Sequence, residues 1–349
     1  MKTIRTFLTA ALCIALASCE DSLEKTDVPV KEGTFILNNG RWGDNNAGIG
    51  IYSPASKTYL PGAFIGANGQ RLGDLGQDIA VLGEDLYIAV YGSQTIFVTD
   101  VLLNIRRQVN ADIDGTRLSP RAFARCGDRM YVTYYEGYAG ELSPGRDIRL
   151  CEVGPNPEGI ASALGTLYVA NSGGMLDTPG NTVSVVPLDS FMEEQTIEVN
   201  PNPIKVEASS DGAYVYVSSY GNYSDRPAML QVIKTATGEV TDLEYDSVSG
   251  IAKGPDDILY ILCAGYDQEW NPLPGKVFKH DMKQNRPLGN FVADGTVLPE
   301  AYSISVARDG YIYIGCSDYT NTGDVYVFSA EGRLHDKFDS QGLNPVKAL

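Results

Sequence analysis

Apolar and polar residues alternate along most of this chain with the period of two that belongs to β-strands, and Gly, Asp, Asn and Ser interrupt the alternation at short intervals. Asn202 to Ser219 is the clearest stretch. Alternation over Ile204 to Ala208 leads into Ser210-Asp211-Gly212 and then into Ala213 to Ser218. This pattern predicts strand, tight turn and strand, with Asp-Gly supplying the positive φ of the turn. The same hairpin is written again around Gly83-Glu84-Asp85, Gly127-Asp128, Leu164-Gly165, Pro255-Asp256-Asp257 and Asp309-Gly310. An aromatic stands near the start of each second strand, at Tyr87, Tyr131, Tyr168, Tyr216, Tyr260 and Tyr313. These tyrosines recur on average about every 45 residues, the length of a four-stranded propeller blade.

A seventh second strand lies at the front, in Thr34-Phe35-Ile36-Leu37, without a first strand before it. The missing piece stands at the other end, where Asn344-Pro345-Val346-Lys347-Ala348 echoes Asn202-Pro203-Ile204-Lys205-Val206. The prediction is an all-β protein, a seven-bladed β-propeller whose C-terminal strand completes the first blade and closes the ring. Closure removes the open sheet edge that would otherwise invite aggregation. In such a winding the first-to-second turns share one face, and they are short. The second-to-third loops share the opposite face with the blade-to-blade connections, and they hold most of the unusual residues. Both tryptophans of the chain, Trp42 and Trp270, fall on that second face, with Arg41, Arg71, Tyr91, Tyr220, Tyr266 and Tyr319. A rim of aromatics and a few charges has the composition of a small-molecule or partner site. These eight residues are the candidate ligand contacts.

Composition narrows the class. At 349 residues the length would allow two domains, but blades need their neighbours to bury their faces, so the repeats imply one. A formal charge of −17 argues against nucleic acid, whose phosphates require a basic footprint. Lys2 and Arg5 precede a short apolar run from Phe7 to Leu16, too short for a permanent membrane span, so residues 1–18 read as a cleaved signal peptide. Residues 19–32 read as a charged, solvated tether and residues 33–349 as the propeller. Catalytic constellations are poor. The two histidines, His280 and His335, map away from the aromatic face, which disfavours a Ser-His-Asp arrangement, and no phosphate loop or Cys-x-x-Cys pair is present. Cys263 and Cys316 occupy equivalent places in adjacent blades, too far apart for an easy bridge, and Cys126 and Cys151 are also expected unbridged. Oxygen-rich loops at Asp44-Asn45-Asn46 and Asp318/Asn321 could hold calcium, although polar turn chemistry accounts for them. No metal and no cofactor is expected.

Two segments carry resemblances. Leu16-Ala17-Ser18-Cys19 resembles the lipobox of bacterial lipoproteins, which implies that Cys19 becomes a lipidated N-terminus and the membrane is reached through the lipid alone. Glu20-Asp21 resembles the acidic surface-export signal of Bacteroidota lipoproteins, implying an outer-membrane position facing the exterior. The opening Phe35-Ile36-Leu37-Asn38-Asn39-Gly40-Arg41-Trp42-Gly43-Asp44-Asn45-Asn46, the segment Asn68-Gly69-Gln70-Arg71-Leu72-Gly73-Asp74 and the run Leu86 to Ser93 resemble the YncE-like propellers of Bacteroidota, departing at Asn39, where the family often has a glutamate. That family includes surface lipoproteins that capture vitamin B12 for a TonB-dependent outer-membrane transporter. The resemblance implies a monomeric binding protein, apart from the transporter, with a corrinoid (cobalamin) as its ligand. Two alternatives stay open from the residues: a propeller enzyme of lyase or lactonase type acting on a glycan or small metabolite, and a ligand-free scaffold associated with a transporter.

Overall fold

The computed structural model describes residues 33–349, apart from 144–146, 268 and 270. The expected lipidation position Cys19, the expected signal peptide and tether, and the candidate contact Trp270 therefore lie outside the described residues. Seven four-stranded antiparallel sheets form the ring, and in each the sequence order of strands runs from the centre outward. The first blade is the exception that closes it. Its strands Thr34–Asn38, Gly48–Ser53 and Thr58–Leu60 receive their innermost partner from the other end of the chain, Pro345–Ala348. Blades 2 to 7 begin with the inner strands Gly76–Leu82, Pro120–Cys126, Pro157–Ala163, Pro203–Ala208, Val248–Lys253 and Ala301–Val306. The predicted hairpins are all present.

Packing explains why the central strands are apolar on both faces. The buried residues fall into seven clusters, and each cluster joins one blade to the next. Second strands such as Asp85–Val90 and Ile312–Cys316 are buried along nearly their whole length because they feed the clusters on either side. The cluster between blades 7 and 1 contains Ile36, Tyr52, Tyr313, Val327 and the tail residue Ala348. Tail residues Val346 and Leu349 pack on the cluster between blades 1 and 2.

Two elements were not foreseen. Ala63–Asn68 is a short helix in the connection from blade 1 to blade 2. It is too short to show a helical period, yet Ala63, Phe64 and Ala67 are buried, and the Asn68 amide donates to the carbonyls of Phe64 and Leu103. Asp112–Ile113 and Thr116–Arg117 form a small hairpin between blades 2 and 3. The four cysteines among the described residues are free, as expected; Cys151, Cys263 and Cys316 are buried and Cys126 is partly exposed.

The inner strands share a device that builds the site. Six of the seven are preceded by a residue in the left-handed region: Leu75 (φ 57°), Asn156 (47°), Asn202 (58°), Ser247 (54°), Glu300 (46°) and Asn344 (56°). Each of these accepts a backbone hydrogen bond from the residue just past a second strand, as Tyr220 N does to Asn202 O and Asn39 N to Asn344 O, both 2.9 Å. Immediately afterwards the register of every inner strand shifts by a bulge. Bulges re-aim side chains at the rim of a barrel or ring. The residues thrown out of register include Val346, Gln77, Arg121, Glu158, Ile204, Ser249 and Tyr302, and all seven line the central channel at one end.

Candidate functional site: an aromatic mouth over a charged channel

The bulged residues form the neck of the channel, on the face that carries the long loops. Above the neck the loop aromatics gather into two groups. In the first, the Trp42 ring of blade 1 stands 5.8 Å from Tyr91 of blade 2, and Tyr91 meets Tyr135 of blade 3 edge-on at 5.5 Å. The Arg121 guanidinium lies 4.9 Å over the Tyr91 ring and 5.1 Å over Tyr135. Glu158 holds it there, accepting from Nε at 2.8 Å and also from Nη2. This group runs from blade 1 to blade 4.

The second group surrounds a cavity of about 280 Å³ lined by Tyr220, Tyr266, Tyr302 and Tyr319 together with Glu300 and Asp318. Tyr302 and Tyr319 meet edge-on at 5.6 Å. Tyr220 and Tyr302 also line the channel cavity of about 290 Å³ below, so the two spaces share a wall. Arg41 ties the groups together across the ring closure, donating from Nη2 to the Tyr319 carbonyl at 3.4 Å and facing Asp44 at 3.8 Å. The Trp42 loop is itself pinned to blade 2, because Gly43 N donates to Asp74 at 3.0 Å and Ala47 pairs with Gly73.

Of the eight candidate contacts, Trp42, Tyr91 and Arg41 and then Tyr220, Tyr266 and Tyr319 stand at this mouth. Arg71 is exposed and, among the described residues, makes no hydrogen bond, ion pair or ring contact with either group. Its neighbours Leu72 and Gly73 are buried, so its place is fixed while its side chain is uncommitted. Large apolar residues are plentiful on this face: Trp42 is 65% exposed, Tyr319 54% and Tyr266 53%.

Burial keeps the phenols of the mouth neutral. Burial raises the phenols of Tyr91, Tyr220 and Tyr319 above their ordinary value and pushes Tyr135 and Tyr302 up to about 12, so none ionises near neutral pH. Desolvation alone would lower the Arg121 guanidinium, but Glu158 outweighs it and the guanidinium stays charged. The mouth thus offers ring faces, neutral hydroxyls, the Arg121–Glu158 and Arg41–Asp44 pairs and the carboxylates of Glu300 and Asp318, a mixture that suits stacking on a flat, polar-edged ligand.

Tyr135 belongs to a second-to-third loop of this face but was not among the eight candidates, and sequence reasoning missed Tyr302 and the channel charges. Lys205, Glu207, Lys253 and Lys347 all line the channel cavity. Burial raises the Glu207 carboxyl above the ordinary range, against the pull of Lys347, Lys253 and Lys205. A signal existed for these residues. Lys205 and Glu207 alternate with buried Val206 and Ala208, so polar residues on one face of an innermost strand mark the channel.

The histidines sit elsewhere, as the winding implied. His280 bonds Tyr245 OH and Asn285 Oδ1, both at 3.0 Å, and His335 bonds the Pro54 carbonyl at 2.9 Å. The Asp318 carboxylate is occupied as a turn acceptor for Thr320 and Asn321. Among the described residues no cluster of His, Cys, Asp and Glu is arranged to hold a metal. None of the helices there is long and apolar enough to cross a membrane.

Comparison with known proteins places the architecture. No family model matches the chain, and no curated protein matches it. Among solved structures, a functionally unknown protein from Desulfotomaculum acetoxidans DSM 771 is similar at a TM-score of 0.60 and 12% identity, covering 90% of this chain and 98% of its own. Kuenenia stuttgartiensis hydrazine synthase is similar at a TM-score of 0.58 and 20% identity, covering 72% of this chain and 76% of its own. At such identities the likeness is one of fold. The fold is a seven-bladed β-propeller.

Proposed function

We propose that this propeller is a capture protein that binds a small, flat, polar-edged ligand across the aromatic mouth. The observation that carries the reading is the convergence of loop aromatics from blades 1, 2, 3, 5, 6 and 7 above one neck. A corrinoid such as vitamin B12 is the ligand class that the resemblance to YncE-like lipoproteins implies. Its ring offers a broad face for stacking and a fringe of carboxamides for the neutral hydroxyls. Each cavity at the mouth is near the lower end of the range for small-molecule pockets. A corrinoid is larger than either, so it would lie over both and use Tyr220 and Tyr302 as the shared wall.

On this reading the protein is lipidated at Cys19, faces the exterior of the outer membrane and hands its ligand to a TonB-dependent transporter. It binds and releases without catalysing a reaction. Cyanocobalamin should stay with the purified chain through gel filtration and colour the protein peak. Truncating an aromatic anchor that matters costs about 2 kcal/mol or more, roughly thirtyfold in affinity. Trp42→Ala and Tyr319→Ala should each weaken binding by that order in calorimetry, whereas Asp211→Ala, on the opposite face, should leave it unchanged. Absence of corrinoid binding at micromolar concentration refutes the ligand. Full affinity in both aromatic variants, with loss in Asp211→Ala, refutes the mouth.

A further inference from the structure

Below the neck, the channel holds a lysine whose ammonium has no hydrogen-bond or ion-pair partner among the described residues. Lys205 of blade 5 and Lys347 of blade 1 occupy the echoing positions of Asn-Pro-Ile-Lys and Asn-Pro-Val-Lys, and both line the same cavity of about 290 Å³. Lys347 has Asp78 at 3.5 Å. The Lys205 side chain makes no hydrogen bond or ion pair among the described residues, although the chain as a whole carries a charge of −17.

The nearby carboxylates are already committed. Asp78 accepts from the backbone N–H groups of Ile79 and Phe123, both at 2.9 Å, as well as facing Lys347. Glu158 is taken by Arg121, and Lys253 pairs with Asp257 at 3.0 Å rather than with the channel. Glu207 faces the same space; burial raises its carboxyl and lowers the Lys205 ammonium, so an oxyanion brought against Lys205 would hold it charged. Four cations, Arg121, Lys205, Lys253 and Lys347, thus stand against two carboxylates, Glu158 and Glu207, in the lining of a space large enough for several heavy atoms. A charged group in a partly desolvated cavity binds an opposite charge more strongly than it would at the open surface.

We propose that the channel is an oxyanion site, in which one carboxylate or phosphate group sits against the Lys205 ammonium with Lys347 beside it. The site lies beneath the aromatic mouth and does not depend on what the mouth binds. Inorganic phosphate and acetate are the probes, titrated into the purified full chain in chloride buffer and followed by calorimetry, with phosphorus NMR line width as a second readout for phosphate. At least one should bind saturably with Kd of about 1 mM or tighter. Whichever binds identifies the oxyanion class.

Lys205→Gln should weaken that binding at least tenfold while keeping the wild-type melting temperature, and Lys205→Arg should retain it. Trp42→Ala should leave it unchanged, which separates this site from the mouth. Three results would overturn the proposal: saturable binding of neither probe, binding that survives Lys205→Gln undiminished, or binding lost equally in Lys205→Gln and Lys205→Arg.

Discussion

Removing the last six residues, Asn344 to Leu349, tests the ring closure. The deletion takes away the inner strand of blade 1 and with it a set of hydrogen bonds that no other segment can replace. Phe35 and Leu349 exchange two backbone bonds at 2.9 and 3.0 Å, and Asn39 N donates to Asn344 O at 2.9 Å. Asn344 is itself buried, accepting from Ser317 Oγ at 2.6 Å and donating to the Gly40 carbonyl at 2.9 Å. Ser303 Oγ donates to Pro345 O at 2.6 Å, and Ala348 N donates to Ser305 Oγ at 3.1 Å. Taking about 1 kcal/mol net for each bond gives roughly 5–7 kcal/mol before any apolar contribution. Val346, Ala348 and Leu349 add burial in the two clusters that flank blade 1.

That loss is comparable with the whole stability of a typical domain, about 5–15 kcal/mol. For a propeller of this length the unfolding entropy is roughly 0.6–0.7 kcal/mol per kelvin, so the melting temperature should fall by about 10 °C. The transition should also broaden, because an opened ring can fray from both ends. Calorimetry and near-ultraviolet circular dichroism read both effects. A gentler perturbation reaches the same joint. A Cβ on Gly315 would lie 2.2 Å from the Pro345 carbonyl oxygen, and one on Gly323 would lie 2.3 Å from Pro345 Cδ. Gly315→Ala should therefore push the tail strand out and reproduce part of the loss. A truncated chain that melts as the full chain does, with the same cooperativity, refutes the closure argument.

Other consequences follow from named groups. Burial works to raise the Asp257 carboxyl, but Ser210, Lys283 and Lys253 together hold it well below the ordinary range. Its contribution is therefore present above the ordinary carboxylate pKa and lost as pH falls through the folded-state value; Asp257→Asn should cost roughly 2–4 kcal/mol at pH 7 in denaturant melts, and much less in strong acid. His280 is buried, and desolvation lowers its pKa against the pull of Asn285 and Asp281. The unfolded chain then binds the proton more readily, so stability should decline as pH drops below about 6.5, with a slope from this residue of at most about 1.4 kcal/mol per unit. That slope should vanish in His280→Asn; its persistence would mean that another group is responsible. Cys19→Ser should move the protein from the membrane fraction to the soluble fraction with an unchanged melting temperature, and continued sedimentation with outer membranes in cells lacking any partner transporter would refute the lipid anchor.

The periodic part of this molecule was legible because strand alternation and turn chemistry are local. Asp211-Gly212 or Asp309-Gly310 announces its turn without knowledge of anything distant, and six such turns at blade spacing fix the fold. Ring closure was legible for a related reason, since the tail repeats the Asn-Pro opening of blade 5. Placement of the mouth followed from winding alone, which is why Trp42, Tyr91, Tyr220, Tyr266 and Tyr319 could be assigned to one face. What could not be read was the set of residues that this winding leaves in strands and then re-aims. Tyr302 occupies a strand position whose facing a strict period of two would assign, and a bulge one residue after the strand begins overrides that assignment. In every blade but the third the bulge follows a left-handed residue that accepts a backbone bond from the end of a neighbouring strand, as Glu300 O does from Ser317 N at 3.0 Å. Neither Leu75 nor Glu300 advertises a positive φ in the way Asn or Gly does, so tertiary pairing imposes the conformation that local preference would refuse. Strain repeated at the neck in six of the seven blades, directly under the aromatic mouth, is best explained by what it positions: the side chains that meet in the channel.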